Sequence, residues 1–164
     1  MTQIGEGFAG TGANVAHVNT VLGGKGGPLE AAWATALATP RAGHVPFVVV
    51  LQPNLPVKPM TLFVNKAELR GERHERLTWG AAQAGVAAGV AAAVRSGTIP
   101  PGDTDGLLLI AAVWVAWEAD DEEAVFRNNR DATLAALEAG AQLRPDIADV
   151  IGAADSPANP YFRR

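Results

Sequence analysis

The stretch Pro53-Asn54-Leu55-Pro56-Val57-Lys58-Pro59 separates two apolar runs, Val45 to Leu51 and Met60 to Val64. Its three prolines fix much of the backbone and remove three N–H donors, so it is not expected to continue a strand ladder. A flexible connector needs no such stiffness. Two readings account for it. The loop either holds neighbouring side chains in place, with the lysine of Phe63-Val64-Asn65-Lys66 the nearest candidate, or it stabilises a rigid turn through the unfolded state alone.

Periodicity around this loop points to an α/β chain. Ile4 to Ala9 reads as a short strand, followed by a turn at Gly10 to Asn14. Val15 to Leu22 reads as a second strand, with Val15, His17, Asn19 and Val21 on one face. Gly23 to Gly27 breaks it, and Pro28 suits the first turn of a helix that Pro40 ends. Val45 to Leu51 and Met60 to Leu69 are the next strands, the latter carrying Leu62, Val64, Lys66 and Glu68 on one face. Glu75 to Ser96 is an Ala- and Gly-rich helix containing Gln83, whose small residues suit close approach to a sheet or another subunit. Leu107 to Trp117 is a buried strand by its unbroken apolar run. Asp120-Asp121-Glu122-Glu123 caps a helix reaching Ala141, with about one helical turn after Pro145. The expected sum is five strands and three main helices, the helices covering one face of the sheet.

A chain of 164 residues that is 48% hydrophobic suits a single domain over 1–164. The net charge of −4 recommends no nucleic acid as a partner. The absence of cysteine excludes disulfides, thiolate metal sites and thiol nucleophiles, and it fits a cytoplasmic protein. Met1 to Glu6 lacks the order of a signal peptide, and no apolar run reaches the ~20 residues of a membrane helix, so no membrane partner is expected.

Few residues offer chemistry. His17 lies mid-strand, two residues before Asn19, and an imidazole with a pKa near 6.5 suits proton transfer as well as it suits packing. His44 reads as a turn or packing residue, and His74 sits in the solvated charged stretch Arg73-His74-Glu75-Arg76. The histidines lack metal-site spacing. The Gly23 to Gly27 loop has the context of a phosphate cradle but not its Gly-x-x-x-x-Gly-Lys-Ser/Thr pattern, so it reads as a plain turn.

Together, Asn14-Val15-Ala16-His17-Val18, Gly26-Gly27-Pro28, the proline loop, Phe63-Val64-Asn65-Lys66 and Gly80-Ala81-Ala82-Gln83 resemble the formaldehyde-activating enzyme family. The resemblance covers nearly the whole chain, and the proline loop followed by Asn65-Lys66 is its most specific part. It implies condensation of formaldehyde with tetrahydromethanopterin as co-substrate, no metal and no permanently bound cofactor. It further implies a fold like the second domain of ribosomal protein S5, with helices on one face and a left-handed β-α-β crossover. Homopentamers with the pterin between neighbours are implied as well. The family's active-site histidine falls on His17, and its pterin contacts fall on Asn19, Val48, Lys66, Glu68 and Gln83.

The chain departs from the family pattern at several of these positions. Asn19 stands where an aspartate is usual, Glu68 where a threonine is usual, and Val48 where leucine is usual. Ala116 replaces a common histidine, and Asn128 and Arg130 occupy positions that often carry tyrosine. The changes fit a diverged paralogue. Two expectations stand: a hydro-lyase in which Glu68 supplies the carboxylate absent at Asn19, or a non-catalytic formaldehyde- or C1-pterin-binding protein.

Overall fold

The computed structural model describes residues 1–162. Strands β1 (Gln3–Ala9), β2 (Ala16–Gly24), β3 (Phe47–Val48), β6 (Met60–Asn65) and β7 (Leu107–Trp114) form one mixed sheet in the order β1-β2-β7-β6-β3. Among the described residues, only β6 and β7 run parallel, as a long crossover allows. Strands β4 (Val50–Gln52) and β5 (Leu55–Pro56) make a separate two-stranded ribbon. The helices are α1 (Pro28–Ala38), α2 (Gly71–Arg76), α3 (Gln83–Ser96), α4 (Glu122–Ala141) and α5 (Ile147–Ala153). A π-helical segment, Leu77–Ala82, joins α2 to α3 in the crossover from β6 to β7.

Alternation along β2 divides the sheet into two faces. Ala16, Val18, Thr20 and Leu22 are buried, while His17, Asn19 and Val21 are half-buried on the opposite face. The buried face joins Leu109, Ala111, Val113 and Phe63 with Val86, Val90 and Ala93 of α3 and Val125, Ala132 and Leu137 of α4 in one core. Glycine permits this packing. A Cβ on Gly5 would stand 1.7 Å from the Ala136 carbonyl oxygen, and one on Gly7 would stand 2.2 Å from that of Ala132. On α3, a Cβ at Gly85 would lie 2.4 Å from the Phe126 carbonyl oxygen, so the small residues of this helix meet α4. By length and composition, Gly71–Ser96 could cross a membrane, with mean hydropathy 1.4, but half of that apolar window is packed inside the protein.

Several expectations hold. Pro28 opens α1, and Asp121 caps α4 by accepting a hydrogen bond from the Ala124 N–H at 3.0 Å. In the glycine loop, Gly26 N–H donates to Glu30 at 2.7 Å and Lys25 Nζ to the Asp105 carbonyl at 2.6 Å, as in a plain turn.

Others need correction. The helices do not all cover one face. A Cβ at Gly23, which belongs to the His17 face, would meet Leu29 at 3.2 Å, so α1 begins on the side away from α3 and α4. The Val45 to Leu51 strand splits at Val49. Val49 N–H donates to Thr61, whereas its carbonyl accepts from Val57 N–H, turning the chain out of the main sheet. The proline loop therefore does join a ladder: Leu55 and Pro56 pair with Gln52 and Val50 at an edge, where the missing donor faces no strand. Asn54 takes a left-handed conformation (φ 65°) in the tight turn that makes this possible. Strand β6 ends at Asn65 rather than Leu69, and β7 ends at Trp114 rather than Trp117. Val15 is buried ahead of β2 instead of opening it. The chain after Pro145 forms a seven-residue helix, α5, rather than one turn.

Candidate active site

Pairing across the sheet assembles a polar cluster on the half-buried face. In the β1–β2 register Phe8 stands opposite His17 and Glu6 opposite Asn19; in β2–β7, His17 faces Trp114 and Asn19 faces Ala112. Lys66 follows β6 directly. Its N–H continues the ladder to the Val113 carbonyl at 2.7 Å, while the Asn65 amide donates to the carbonyls of Gly43 and Ala67, both at 2.8 Å, and ends the strand there. From that position the lysine reaches across β7 to β2. Ala112, opposite both Asn19 and Val64, offers only a methyl group in the way.

The contacts are close. Lys66 Nζ donates to Asn19 Oδ1 at 2.8 Å and lies 3.1 Å from His17 Nδ1. An ammonium has no acceptor, so Nδ1 accepts and the neutral ring carries its proton on Nε2. Nε2 is shielded from water, 3.1 Å from Glu6 Oε1, an ion-pair approach that lacks hydrogen-bond alignment. Phe8 stacks on the imidazole with centroids 3.9 Å apart and planes within 4°. Burial, and then the Lys66 charge, hold the His17 pKa below its ordinary value; the Glu6 carboxylate opposes them. Burial likewise lowers Lys66, again opposed by Glu6. The resting pair is therefore a neutral imidazole hydrogen-bonded to a destabilised ammonium. Such a pair can take a proton from one atom of a bound substrate and return it to another.

The sequence-derived residues do not all meet here. His17, Asn19 and Lys66 do. Val48 and Gln83 instead line a cleft of about 340 Å³ with Val45, Phe47, Val50 and Trp79, and none of the first three reaches it. Gln83 is held there by its Oε1, which accepts the Val50 N–H at 2.6 Å. Glu68 joins neither group: its side chain is exposed and lies over Gly43, so it does not supply a carboxylate beside Asn19. Once β6 ends at Asn65, the two-residue alternation that placed Glu68 beside Lys66 no longer applies.

His74 is not solvated. It is 2% exposed, with Nδ1 accepting the Arg70 N–H at 3.2 Å and Nε2 donating to the Val115 carbonyl at 3.0 Å, a histidine held by backbone groups. His44 Nδ1 contacts the Asn65 carbonyl at 3.0 Å in a turn closed on Arg41. Asn128 donates to the Asn14 carbonyl at 2.7 Å, tying α4 to the segment before β2.

Sequence reasoning missed Glu6 and Phe8. The signal was faint: one carboxylate between two glycines in a short strand, meaningful only once the strand is registered against β2.

Residues 4–162 match the formaldehyde-activating enzyme family. The chain is 37% identical over 160 residues to a 5,6,7,8-tetrahydromethanopterin hydro-lyase of Methanosarcina barkeri, covering 98% of this chain and 90% of the relative. It is 38% identical over 151 residues to a bifunctional enzyme Fae/Hps of Methanosarcina mazei, covering 92% of this chain but 38% of that longer protein. A bifunctional Fae/Hps of Archaeoglobus fulgidus is 36% identical over 162 residues, which make up 41% of its length.

Proposed function

Because the chain belongs to the formaldehyde-activating enzyme family, a hydro-lyase family that condenses formaldehyde with tetrahydromethanopterin, we infer that His17 and Lys66 carry this reaction here. The single observation behind this assignment is the 3.1 Å approach of Lys66 Nζ to His17 Nδ1. When a pterin amine adds to formaldehyde, a proton must pass from nitrogen to the carbonyl oxygen. The Nε2–H of His17 donates to that oxygen as Lys66 passes a proton to Nδ1; Nε2, now free, takes the amine proton and Nδ1 returns its own to the lysine. The carbinolamine then loses its hydroxyl as water with the Nε2 proton, Lys66 again supplying Nδ1, and the second amine closes the ring and gives its proton to Nε2, which restores the pair. Both amine protons of the pterin end in the released water, so His17 is regenerated. Lys66 stays on Nδ1 as the relay partner, so the exchange with substrate takes place at Nε2. Asn19 fixes the lysine, and alignment of the reactants lowers the barrier further.

Gln83 and Val48 belong to the same reading as pterin contacts supplied by a neighbouring protomer. Two full strands, β7 and β6, separate β2 from β3, and the cleft lined by Val48 and Gln83 does not include His17, Asn19 or Lys66, which supports a pterin shared between two copies of the chain. The exposed apolar Ile4 and Phe8 beside the cluster favour such an assembly, and a homopentamer is the form proposed. The remaining parts of the reading are a single domain, the S5-like left-handed crossover and a cytoplasmic setting, with formaldehyde and the pterin as the only ligands.

Formaldehyde and tetrahydromethanopterin mixed with the protein will condense faster than the uncatalysed reaction, as followed by product absorbance. Pterin binding without acceleration at any neutral pH would leave the alternative, a C1-pterin carrier, which the amide at Asn19 favours.

A further inference from the structure

We propose that Glu6 is a positioning residue for this reaction, the carboxylate that holds the Nε2 proton of His17 and sets how readily the ring becomes cationic. The inference rests on the His17 assignment above, but it has a readout of its own.

Its basis is geometric. Glu6 Oε1 stands 3.1 Å from Nε2, while Lys66 occupies the opposite nitrogen. Nε2 is out of water and lacks an aligned hydrogen-bond partner. A buried N–H in that state is costly to leave unmade, so the nearest acceptor matters. That acceptor is a half-exposed side chain, free to rotate by a torsion or two, on an edge strand between Gly5 and Gly7. Rotation toward Nε2 completes the hydrogen bond and holds the ring in the Nε2–H form. Rotation toward solvent hands Nε2 to the substrate. The charged groups facing His17 are Glu6 from β1 and Lys66 after β6; Phe8 and Asn19 complete its neighbours on β1 and β2, and Trp114 stands opposite it on β7. With Asn19 neutral, Glu6 is the carboxylate that offsets Lys66 in the cluster. The geometry gives to Glu6 the role that one reading of the sequence assigned to Glu68.

Glu6→Gln keeps the size of the side chain and removes its charge. Nitrogen-15 NMR of His17 should show the Nε2–H tautomer in the starting protein. In Glu6→Gln the ring pKa should fall by about half a unit, an opposite charge at this range being partly screened by solvent. Glu6→Asp, which keeps the charge, should shift it less. In turnover assays Glu6→Gln should lower kcat about tenfold with little change in KM for the pterin, because the ligand contacts remain. An unaltered His17 pKa and tautomer in Glu6→Gln would overturn the proposal even if the protein proved inactive. An unaltered kcat would overturn it equally. Failure of the starting protein to accelerate the reaction, with the NMR shifts intact, would count against the His17 catalytic assignment and leave the Glu6–His17 link standing.

Discussion

Lys66 Nζ lies 3.1 Å from Nδ1 of His17, although 49 residues separate them in the chain. The contact links β2 to the end of β6, which are not neighbours in the sheet, and it leaves Nε2 as the imidazole nitrogen that carries the proton. Its consequences can be measured directly.

Removing the lysine charge should raise the His17 pKa, because that charge is among the influences lowering it. In Lys66→Met, NMR should therefore show His17 titrating at higher pH. The condensation rate should fall by about 100-fold, as expected when a proton-transfer group loses its alignment. A His17 pKa unmoved by this change would mean that the two groups are not in contact in solution.

A carboxylate at position 19 would pair with Lys66 Nζ, now 2.8 Å from the Asn19 oxygen. Asn19→Asp should raise the pKa of both His17 and Lys66, since a negative charge favours their cationic forms. If the pterin site has merely weakened, steady-state assays should show higher kcat/KM. An unchanged or lower value would argue for a different ligand.

The cluster should cost stability in acid. Folded His17 titrates below its ordinary 6.5, so between its folded value and 6.5 the unfolded chain binds more protons. This contribution is complete above pH 6.5 and is lost as pH falls toward the folded value. Lys66 has the same sign at higher pH, its ordinary 10.5 being lowered on folding. Urea midpoints should rise from mildly acidic to neutral pH, and His17→Gln should flatten that rise.

Gly7→Ala tests the packing of α4. Its methyl would stand 2.2 Å from the Ala132 carbonyl oxygen, which backbone must move to accommodate. A loss of about 1–3 kcal/mol is expected, read as a Tm lower by about 2–4 °C per kcal/mol. An unchanged Tm would show that α4 does not sit so closely on β1.

Gln83→Leu would leave the Val50 N–H, which now donates at 2.6 Å, without its acceptor. About 1–3 kcal/mol should be lost on this account. Calorimetry can separate it from any rise in KM for the pterin. Full stability in Gln83→Leu would mean that water or another acceptor replaces the amide.

Local pattern carried much of the fold. Two-residue alternation from Val15 to Leu22 grouped His17, Asn19 and Val21 on one face, and these three are half-buried together opposite the core. Pro28, Asp121 and the apolar run at Leu107 each marked an element correctly because their signals act within a turn or two of the chain. Alternation failed for Glu68, where the Asn65 side chain intercepts backbone carbonyls and ends the strand. The charge pattern around His74 misled in another way. Charged neighbours read as solvent, whereas the ring is drawn inward to bond backbone groups at Arg70 and Val115.

From the residues alone came the α/β class, the likeness of the chain to its family, and His17 and Lys66 as the groups to watch, for these depend on short-range periodicity and on motif order. Only the folded molecule decided that Glu6 and Phe8 flank the imidazole, that Glu68 stays away, and that Gln83 and Val48 occupy a separate cleft. Register between strands sets such distances. A shift of one residue turns a side chain to the other face, and no local propensity encodes which partner strand will stand opposite.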